Sequence, residues 1–384
     1  MDIRKRKLVR RNPDWFFRTT WKYLMARYSR SKLRVRKHYK RYYRGQILHF
    51  SEAKRLVPEL YEDFRARTVK SPAAFVAVLK YGRVCGKKAY ILSARYKLLQ
   101  DVSFEFEFNA EHLQPIKKRK AYRTWKSRPF QYIPGTVAVL AFCSSFNYFH
   151  WMFDVLPRLE LLRQSGFRID KFVLNRQWFP SFQDETLAVL GIPNEKIIDS
   201  RVDLQARKLV VPSIINSYSL NTNTFIKPRV IPKWPCDFLR ATFLHPSHND
   251  CSMQHEYIYI SREYARHRRV INEEEIVDQL AALGFKKVTL DSMKVAEQVQ
   301  LFSCAKFIIA PHGAGLANLV FCKPGTKVIE LFSTQYMPAY FWMVSNHVQL
   351  DYYYLITHVE KNHEKLDYTV NVDQLLQLIT LAGL

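Results

Sequence analysis

The sequence predicts an α/β protein made of two facing Rossmann-like domains preceded by a basic N-terminal arm. Three observations carry that expectation. From about residue 136 onward, short apolar runs alternate with helix-length segments, the pattern of a parallel sheet covered by helices on both faces. The alternation is interrupted once, at 213–236, by a stretch rich in Asn, Ser, Thr and Pro with no clear period. Such a stretch suits a domain connection and cleft loop. A chain of 384 residues with 48% hydrophobic and 14% aromatic residues is also long enough, and apolar enough, for two cores. The expected division is a basic arm at 1–45, an N-terminal α/β domain with an initial strand-rich part at 46–235 and a C-terminal Rossmann-like domain at 236–384.

The elements follow in order. Ser51 before Glu52-Ala53-Lys54-Arg55 reads as an N-capped helix start. Strand-like runs sit at 75–79, 89–93 and 102–106. A buried strand at 136–140 leads into a helix at 148–164 that ends at Gly166. A strand at 171–174, a helix at 183–190 and strands at 196–199 and 208–212 complete the first half. In the second half, strands at 257–260, 287–290, 307–310 and 327–331 each lead into a helix, at 273–283, 295–304, 314–321 and 337–345. A strand near 350–355 and a helix at 373–381 close the chain.

The net charge of +26 is concentrated. The first 45 residues hold 17 Lys and Arg against Asp2 and Asp14, over half of the excess. Trp15, Phe16, Phe17, Trp21, Tyr23 and Tyr28 are interspersed. Basic and amphipathic aromatic residues together suit an acidic membrane surface, and nucleic acid is the lesser expectation. The six cysteines form no CxxC pair and mostly sit in apolar contexts. They read as buried, reduced thiols without a disulfide framework or a zinc site. No apolar h-region follows the basic N-terminus, and no apolar run reaches the ~18 residues of a spanning helix. The expected setting is cytoplasmic, peripheral on a membrane face.

Three constellations carry chemistry. In Phe307-Ile308-Ile309-Ala310-Pro311-His312-Gly313-Ala314-Gly315 a buried strand runs into a glycine turn and then a helix. Glycines let backbone approach an oxyanion, and a helix start offers free N–H groups with a favourable dipole. The run resembles a dinucleotide fingerprint but has Asn318 where the third glycine would stand. Ser261 and Arg262 end the strand at 257–260, at the sheet edge where open α/β folds bind ligands. Arg266, Arg268 and Arg269 follow, and guanidinium groups suit diphosphate oxygens. His150 and Asp154, four apart on one helix face, can supply a base for an acceptor hydroxyl, or can simply brace the helix. Glu330, at a strand end, can accept from ribose hydroxyls. No GxSxG elbow, Walker loop, DxD pair or zinc spacing is present, so no metal is required by the motifs.

Taken together, Asn147-Tyr148-Phe149-His150-Trp151 with Asp154, Leu156, Pro157 and Arg158, then Ile260-Ser261-Arg262, Arg269, Asn272-Glu273, Glu297-Gln298, the Pro311–Asn318 turn and Val328-Ile329-Glu330 resemble glycosyltransferase family 61. The resemblance covers roughly 135–335. It implies a GT-B fold, a nucleotide-sugar donor (often a UDP-sugar) bound by the C-terminal domain, and transfer with inversion to a glycan or glycolipid acceptor. The long basic arm and lack of an anchor look more like the family's bacterial branch and surface polysaccharide synthesis. The resemblance carries donor roles onto Ser261, Arg262, His312, Gly313, Ala314, Gly315 and Glu330, with Arg268 and Asn318 beside them. It leaves the base open between Asp154 and His150. Two other classes compete: a non-catalytic polyanion binder working through the arm, and a dinucleotide-dependent oxidoreductase.

Overall fold

The computed structural model describes residues 40–56, 64–86, 88–96, 99, 102–103, 128–142, 144–176, 181–215, 230–245, 251, 255–357 and 366–384. Most of the basic arm, the basic loop at 117–120 and most of the expected strand at 102–106 lie outside these residues.

The first part of the chain supplies β1 (Lys40–Tyr43), β2 (Ile47–Phe50), β3 (Arg67–Lys70), β4 (Ala74–Lys80), β5 (Arg83–Cys85), β6 (Tyr90–Leu92) and β7 (Gln131–Val139). A helical segment follows β7: one α turn, α1 (Tyr148–His150), then a π-helix, Trp151–Val155, then α2 (Arg158–Ser165). The expected single helix is therefore broken in hydrogen-bond period, though its end is as expected. Gly166 caps it at φ 69°, a left-handed conformation that costs glycine little. Next come β8 (Lys171–Leu174), α3 (Ser181–Val189), β9 (Ile197–Asp199) and β10 (Leu204–Pro212).

These strands form a mixed sheet with the order β1-β4-β10-β7-β8-β9 and with β5 and β6 attached through β10. The β10–β7–β8–β9 half is parallel, and β4 joins β10 antiparallel. Only half of this sheet is therefore Rossmann-like. Among the described residues, β2 and β3 form a separate ribbon.

The second half is more regular. After α4 (Lys233–Phe243) come β11 (Tyr257–Ile260), α5 (Glu273–Ala282), β12 (Lys286–Val288), α6 (Val295–Cys304) and β13 (Phe307–Pro311). A 3-10 helix, Ala314–Phe321, leads to β14 (Lys327–Ser333), α7 (Tyr340–His347), β15 (Asp351–Thr357) and α8 (Val372–Leu381). The sheet is wholly parallel, with the order β12-β11-β13-β14-β15. The chain steps from β11 to β12 on one side, then returns to β13 on the other. The crevice outside the carboxyl ends of β11 and β13 is thus the switch point, where such sheets bind ligands.

Several expectations need correction. Residues 51–56 are not helical. Lys54 instead pairs as a bridge with Tyr353 on the edge strand β15, and Phe64 stacks on Tyr354 at 4.7 Å. This early segment covers the second sheet's edge, which would otherwise offer unpaired backbone groups. Helix α4 runs through the expected 235/236 boundary, because Lys233-Trp234-Pro235 places proline in the first turn, where its missing N–H costs nothing. The reading of unpaired thiols also fails: Cys251 and Cys304 form a disulfide that ties the stretch before β11 to the end of α6. Cys85, Cys236 and Cys322 are free and buried.

One apolar cluster runs from Val210 of the first sheet and Leu140 just after β7 through Trp151 and Phe149 to Phe341 of α7 and to Ile308 and Phe332 of the second sheet. Phe149 stacks on Tyr340 at 5.2 Å and meets Phe341 edge-on. The start of α1 is therefore pressed against the second sheet's layer. Among the described residues, no helix is long and apolar enough to cross a membrane.

Candidate functional site

The ends of β11 and β13 bring the Arg262 guanidinium onto one glycine turn, with Arg268 nearby on the loop after β11. Arg262 follows Ser261 directly after β11. Its side chain donates through Nη2 to the His267 carbonyl at 2.9 Å and through Nε to the Arg268 carbonyl at 3.3 Å. Those bonds curl the loop back, and Arg268 takes a left-handed conformation, φ 59°. For a non-glycine residue that conformation costs roughly 1–3 kcal/mol. Arg268 lies over the Tyr336 ring at 4.8 Å, and its buried Nε has no hydrogen-bond partner among the described residues. Neither Arg262 nor Arg268 forms an ion pair with a carboxylate among the described residues. Burial, and then Arg268 nearby, push the Arg262 guanidinium down to about 10. Two largely uncompensated cations beside each other are an unfavourable arrangement unless an anion joins them.

Gly313 faces Arg262. A Cβ on residue 313 would stand 2.0 Å from Arg262 Nη1 and 2.9 Å from Cζ. The glycine is there for close approach, since its φ of −171° is ordinary extended backbone. Gly315 has a different neighbour, as its Cβ would meet Leu290 Cδ1 at 2.6 Å. Ala314 and Gly315 are partly exposed and begin the 3-10 helix, where the first N–H groups lack intrahelical partners. Gly313→Ala is expected to displace the Arg262 guanidinium and weaken the binding of a diphosphate anion at this turn about tenfold or more, with the fold retained. Calorimetric titration with inorganic pyrophosphate checks this; unchanged affinity would remove Arg262 from anion binding at the turn.

His312 and Glu330 lie behind the turn. His312 Nδ1 and Glu330 Oε1 are 2.5 Å apart, and the Tyr352 hydroxyl donates to Glu330 Oε2 at 2.5 Å. Glu330 is completely buried, so it cannot reach a ribose as expected; its place is beneath His312. Burial pushes the Glu330 carboxyl well above its ordinary value. Burial, then Arg268 and Arg262, push His312 well below its own. The pair thus stays neutral as a unit and leaves the positive field of the two arginines intact.

Two other expected donor residues are engaged within the protein. The Ser261 hydroxyl donates to Glu273 Oε2 at 2.8 Å and accepts from the Glu263 N–H at 3.1 Å, which anchors the loop to α5. Asn318 is fully buried. Its Oδ1 accepts from the Tyr148 hydroxyl at 2.7 Å, and its Nδ2 donates to Gln298 Oε1 at 2.7 Å. Asn318 therefore joins the two sheets' layers, which explains why a third glycine is not needed there. Arg269 is held by Asp367 at 3.0 Å, and Arg266 is exposed.

On the other side stand His150 and Asp154. His150 Nδ1 is 2.7 Å from Asp154 Oδ2. The His150 side chain is 21% exposed and that of Asp154 is fully buried, so of the two only the imidazole is open to solvent. Asn147 caps α1, its Oδ1 accepting from the Phe149 and His150 N–H groups. Arg158 supports the dyad from below. It is buried and donates to the Val139, Leu140 and Pro212 carbonyls at 2.8, 3.0 and 3.1 Å. These bonds clamp α2 to the carboxyl ends of β7 and β10. Sequence reasoning missed the support given by Arg158, Tyr336 and Tyr352. Arg158 alone left a signal, as a charge directly after the apolar run Val155-Leu156-Pro157.

Among the described residues, no group of three or more His, Cys, Asp and Glu side chains stands close enough to hold a metal.

The family model for Glycosyltransferase 61 matches residues 148–329, which includes the dyad, the arginine loop and the glycine turn. Similar curated proteins include a beta-1,2-xylosyltransferase of Oryza sativa subsp. japonica, 34% identical over 93 residues. A beta-1,2-xylosyltransferase of Arabidopsis thaliana is 32% identical over 98 residues. The protein O-linked-mannose beta-1,4-N-acetylglucosaminyltransferase 2 of Mus musculus is 34% identical over 92 residues. These matches take in 22%, 22% and 23% of this chain but only 17%, 18% and 16% of the relatives' own lengths.

Proposed function

We propose that this chain, which belongs to the glycosyltransferase 61 family through residues 148–329, moves a sugar from a nucleoside diphosphate sugar to a hydroxyl of a glycan or glycolipid acceptor. The observation that carries the reading is the Arg262 guanidinium packed on a glycine turn at the sheet's switch point with Arg268 beside it, neither ion-paired to a carboxylate among the described residues. A diphosphate supplies the missing negative charge, with the N–H groups around Gly313 and Gly315 as further donors.

The reaction is then a single displacement between the two halves of a GT-B-like molecule. The acceptor oxygen attacks the anomeric carbon while the bond from that carbon to the diphosphate oxygen breaks. His150 Nε2 takes the acceptor's proton, and Asp154 holds Nδ1–H and stabilises the imidazolium that forms. The leaving diphosphate carries its charge onto Arg262, Arg268 and the turn. Inversion fits the beta linkages in the relatives' names, since common nucleotide sugars are alpha-linked. Those names also make xylosyl and N-acetylglucosaminyl donors, as UDP-sugars, the first to test. The basic arm suits an acidic membrane surface as the place where the acceptor is met. The Cys251–Cys304 bridge favours a compartment where disulfides persist over the cytosol.

The test is titration of the full chain with UDP, GDP, UDP-xylose and UDP-N-acetylglucosamine, followed by donor hydrolysis. Binding of at least one is expected. Arg262→Ala should weaken it about 10- to 100-fold, and EDTA should leave hydrolysis at its level in magnesium. Folded wild-type protein that binds no nucleotide would sink the reading.

A further inference from the structure

The residues that lead into α1 are hydrogen-bonded to their neighbours around one exposed ring. Phe142, Ser144 and Ser145 are buried. The Phe142 N–H donates to Asn175 Oδ1 at 2.5 Å, and the Ser145 hydroxyl donates to the Asn175 carbonyl at 3.1 Å. Gln183 Nε2 donates to the Ser145 carbonyl at 3.0 Å, and Asn175 Nδ2 donates to Ser200 Oγ at 2.6 Å. Phe146, in the middle of this network, is 40% exposed and makes no ring contact among the described residues. It precedes the helix cap, a position whose apolar side chain ordinarily packs on the fourth helical residue. That residue, Trp151, is completely buried with its Nε1 on Thr186, so the phenyl ring is left outward.

Its neighbours have the right chemistry for a sugar. Asn147 turns its Oδ1 inward to cap α1, which directs its NH2 group away from the helix. Two residues after Phe146, Tyr148 crosses to Asn318 of the other half. His150 is on the same helical turn as Tyr148. An aromatic face, an amide donor and the acceptor-side imidazole thus occupy five consecutive residues at the seam between the halves. A pyranose offers a matching surface, with C–H groups on one face and hydroxyls around its edge. Fixing an aromatic ring in water adds nothing to folding, whereas stacking it on a ligand removes its apolar face from solvent.

We propose that Phe146 is the platform on which the acceptor's sugar ring stacks. Asn147 Nδ2 donates to one ring hydroxyl, and a neighbouring hydroxyl is brought to His150. The proposal rests on the glycosyl-transfer reading above and names the acceptor class, a neutral pyranoside.

The experiment is saturation-transfer NMR on the full chain with UDP present. The probes are methyl β-xylopyranoside, methyl β-glucopyranoside and methyl α-mannopyranoside. At least one is expected to show transfer to the protons of its apolar face. Phe146→Ala should weaken that binding about tenfold, while Phe146→Tyr keeps it within about threefold. UDP affinity should be the same in all three proteins. If UDP binds and Phe146→Ala holds the glycoside as tightly as wild type, or no glycoside touches wild type, the platform is overturned and the donor reading stands. If wild type binds no nucleotide, both fall.

Discussion

Asp154→Asn is expected to lower turnover roughly 10²- to 10⁴-fold while leaving nucleotide affinity within about twofold of wild type. The carboxylate is fully buried and touches His150 Nδ1 at 2.7 Å. It cannot reach an acceptor, so its effect must pass through the imidazole. As an anion it accepts Nδ1–H, which leaves Nε2 as the basic nitrogen. An asparagine can present its NH2 group to Nδ1 instead, which moves the proton to Nε2 and removes the base. It also withdraws the charge that stabilises the imidazolium at the transition state. His150→Ala should match or exceed the loss, and the double variant should be no worse than the single ones, because the two act as a unit. Steady-state kinetics with saturating donor, beside UDP titration and a thermal melt, separates the effect from loss of fold. Turnover within about threefold of wild type would remove Asp154 from the proton path.

The arrangement of His150 and Asp154 was only partly legible in the sequence. The spacing of His150 and Asp154 places them on one helix face, but not one above the other in burial. The π-helix Trp151–Val155 and the clamp of Arg158 on three carbonyls set their depth, and both depend on strands up to 54 residues away. The parallel sheet was legible because β11, β13, β14 and β15 are apolar runs of the right length separated by turn residues. The first sheet was not, because antiparallel β4 and parallel β7 pair with the same strand β10 and no local pattern specifies a partner. Glu330 illustrates the limit most clearly. Its strand was recognised, but its use depends on Tyr352. That residue lies two positions from Glu330's register partner Tyr354 and so on the same face. Cysteine spacing likewise says nothing of a Cys251–Cys304 pair 53 residues apart.

Glu330→Ala is expected to cost about 3–5 kcal/mol of unfolding free energy, from the cavity it leaves and the two buried partners it deprives of a hydrogen bond. It leaves His312 Nδ1 and the Tyr352 hydroxyl without their partner and opens a cavity under the glycine turn. Glu330→Gln keeps the volume and one or both bonds, and should cost about 1–2 kcal/mol. The two substitutions differ more usefully in pH dependence. Burial raises the Glu330 carboxyl well above its ordinary 4.5, so the folded protein holds a proton there that the unfolded chain has released. The stabilisation this brings is fully present below pH 4.5 and is lost as pH rises through the folded value. Burial lowers His312 well below its ordinary 6.5, so its contribution runs the other way and is lost as pH falls below 6.5. Folded, the pair shares one proton across this interval, which is the number the unfolded chain carries between 4.5 and 6.5. The pair therefore favours the fold most in that window and less on either side. Glutamine does not titrate, so the advantage of wild type over Glu330→Gln should be largest near pH 4.5. It should shrink as pH rises, by at most about 1.4 kcal/mol per unit. Denaturant melts of both proteins between pH 4 and 8.5 measure that difference directly. A difference that is flat with pH, or that grows as pH rises, would mean that Glu330 is held as a carboxylate. The donor site would then have an anion beneath His312, the field of Arg262 and Arg268 would be partly cancelled, and nucleotide binding would need a further positive charge.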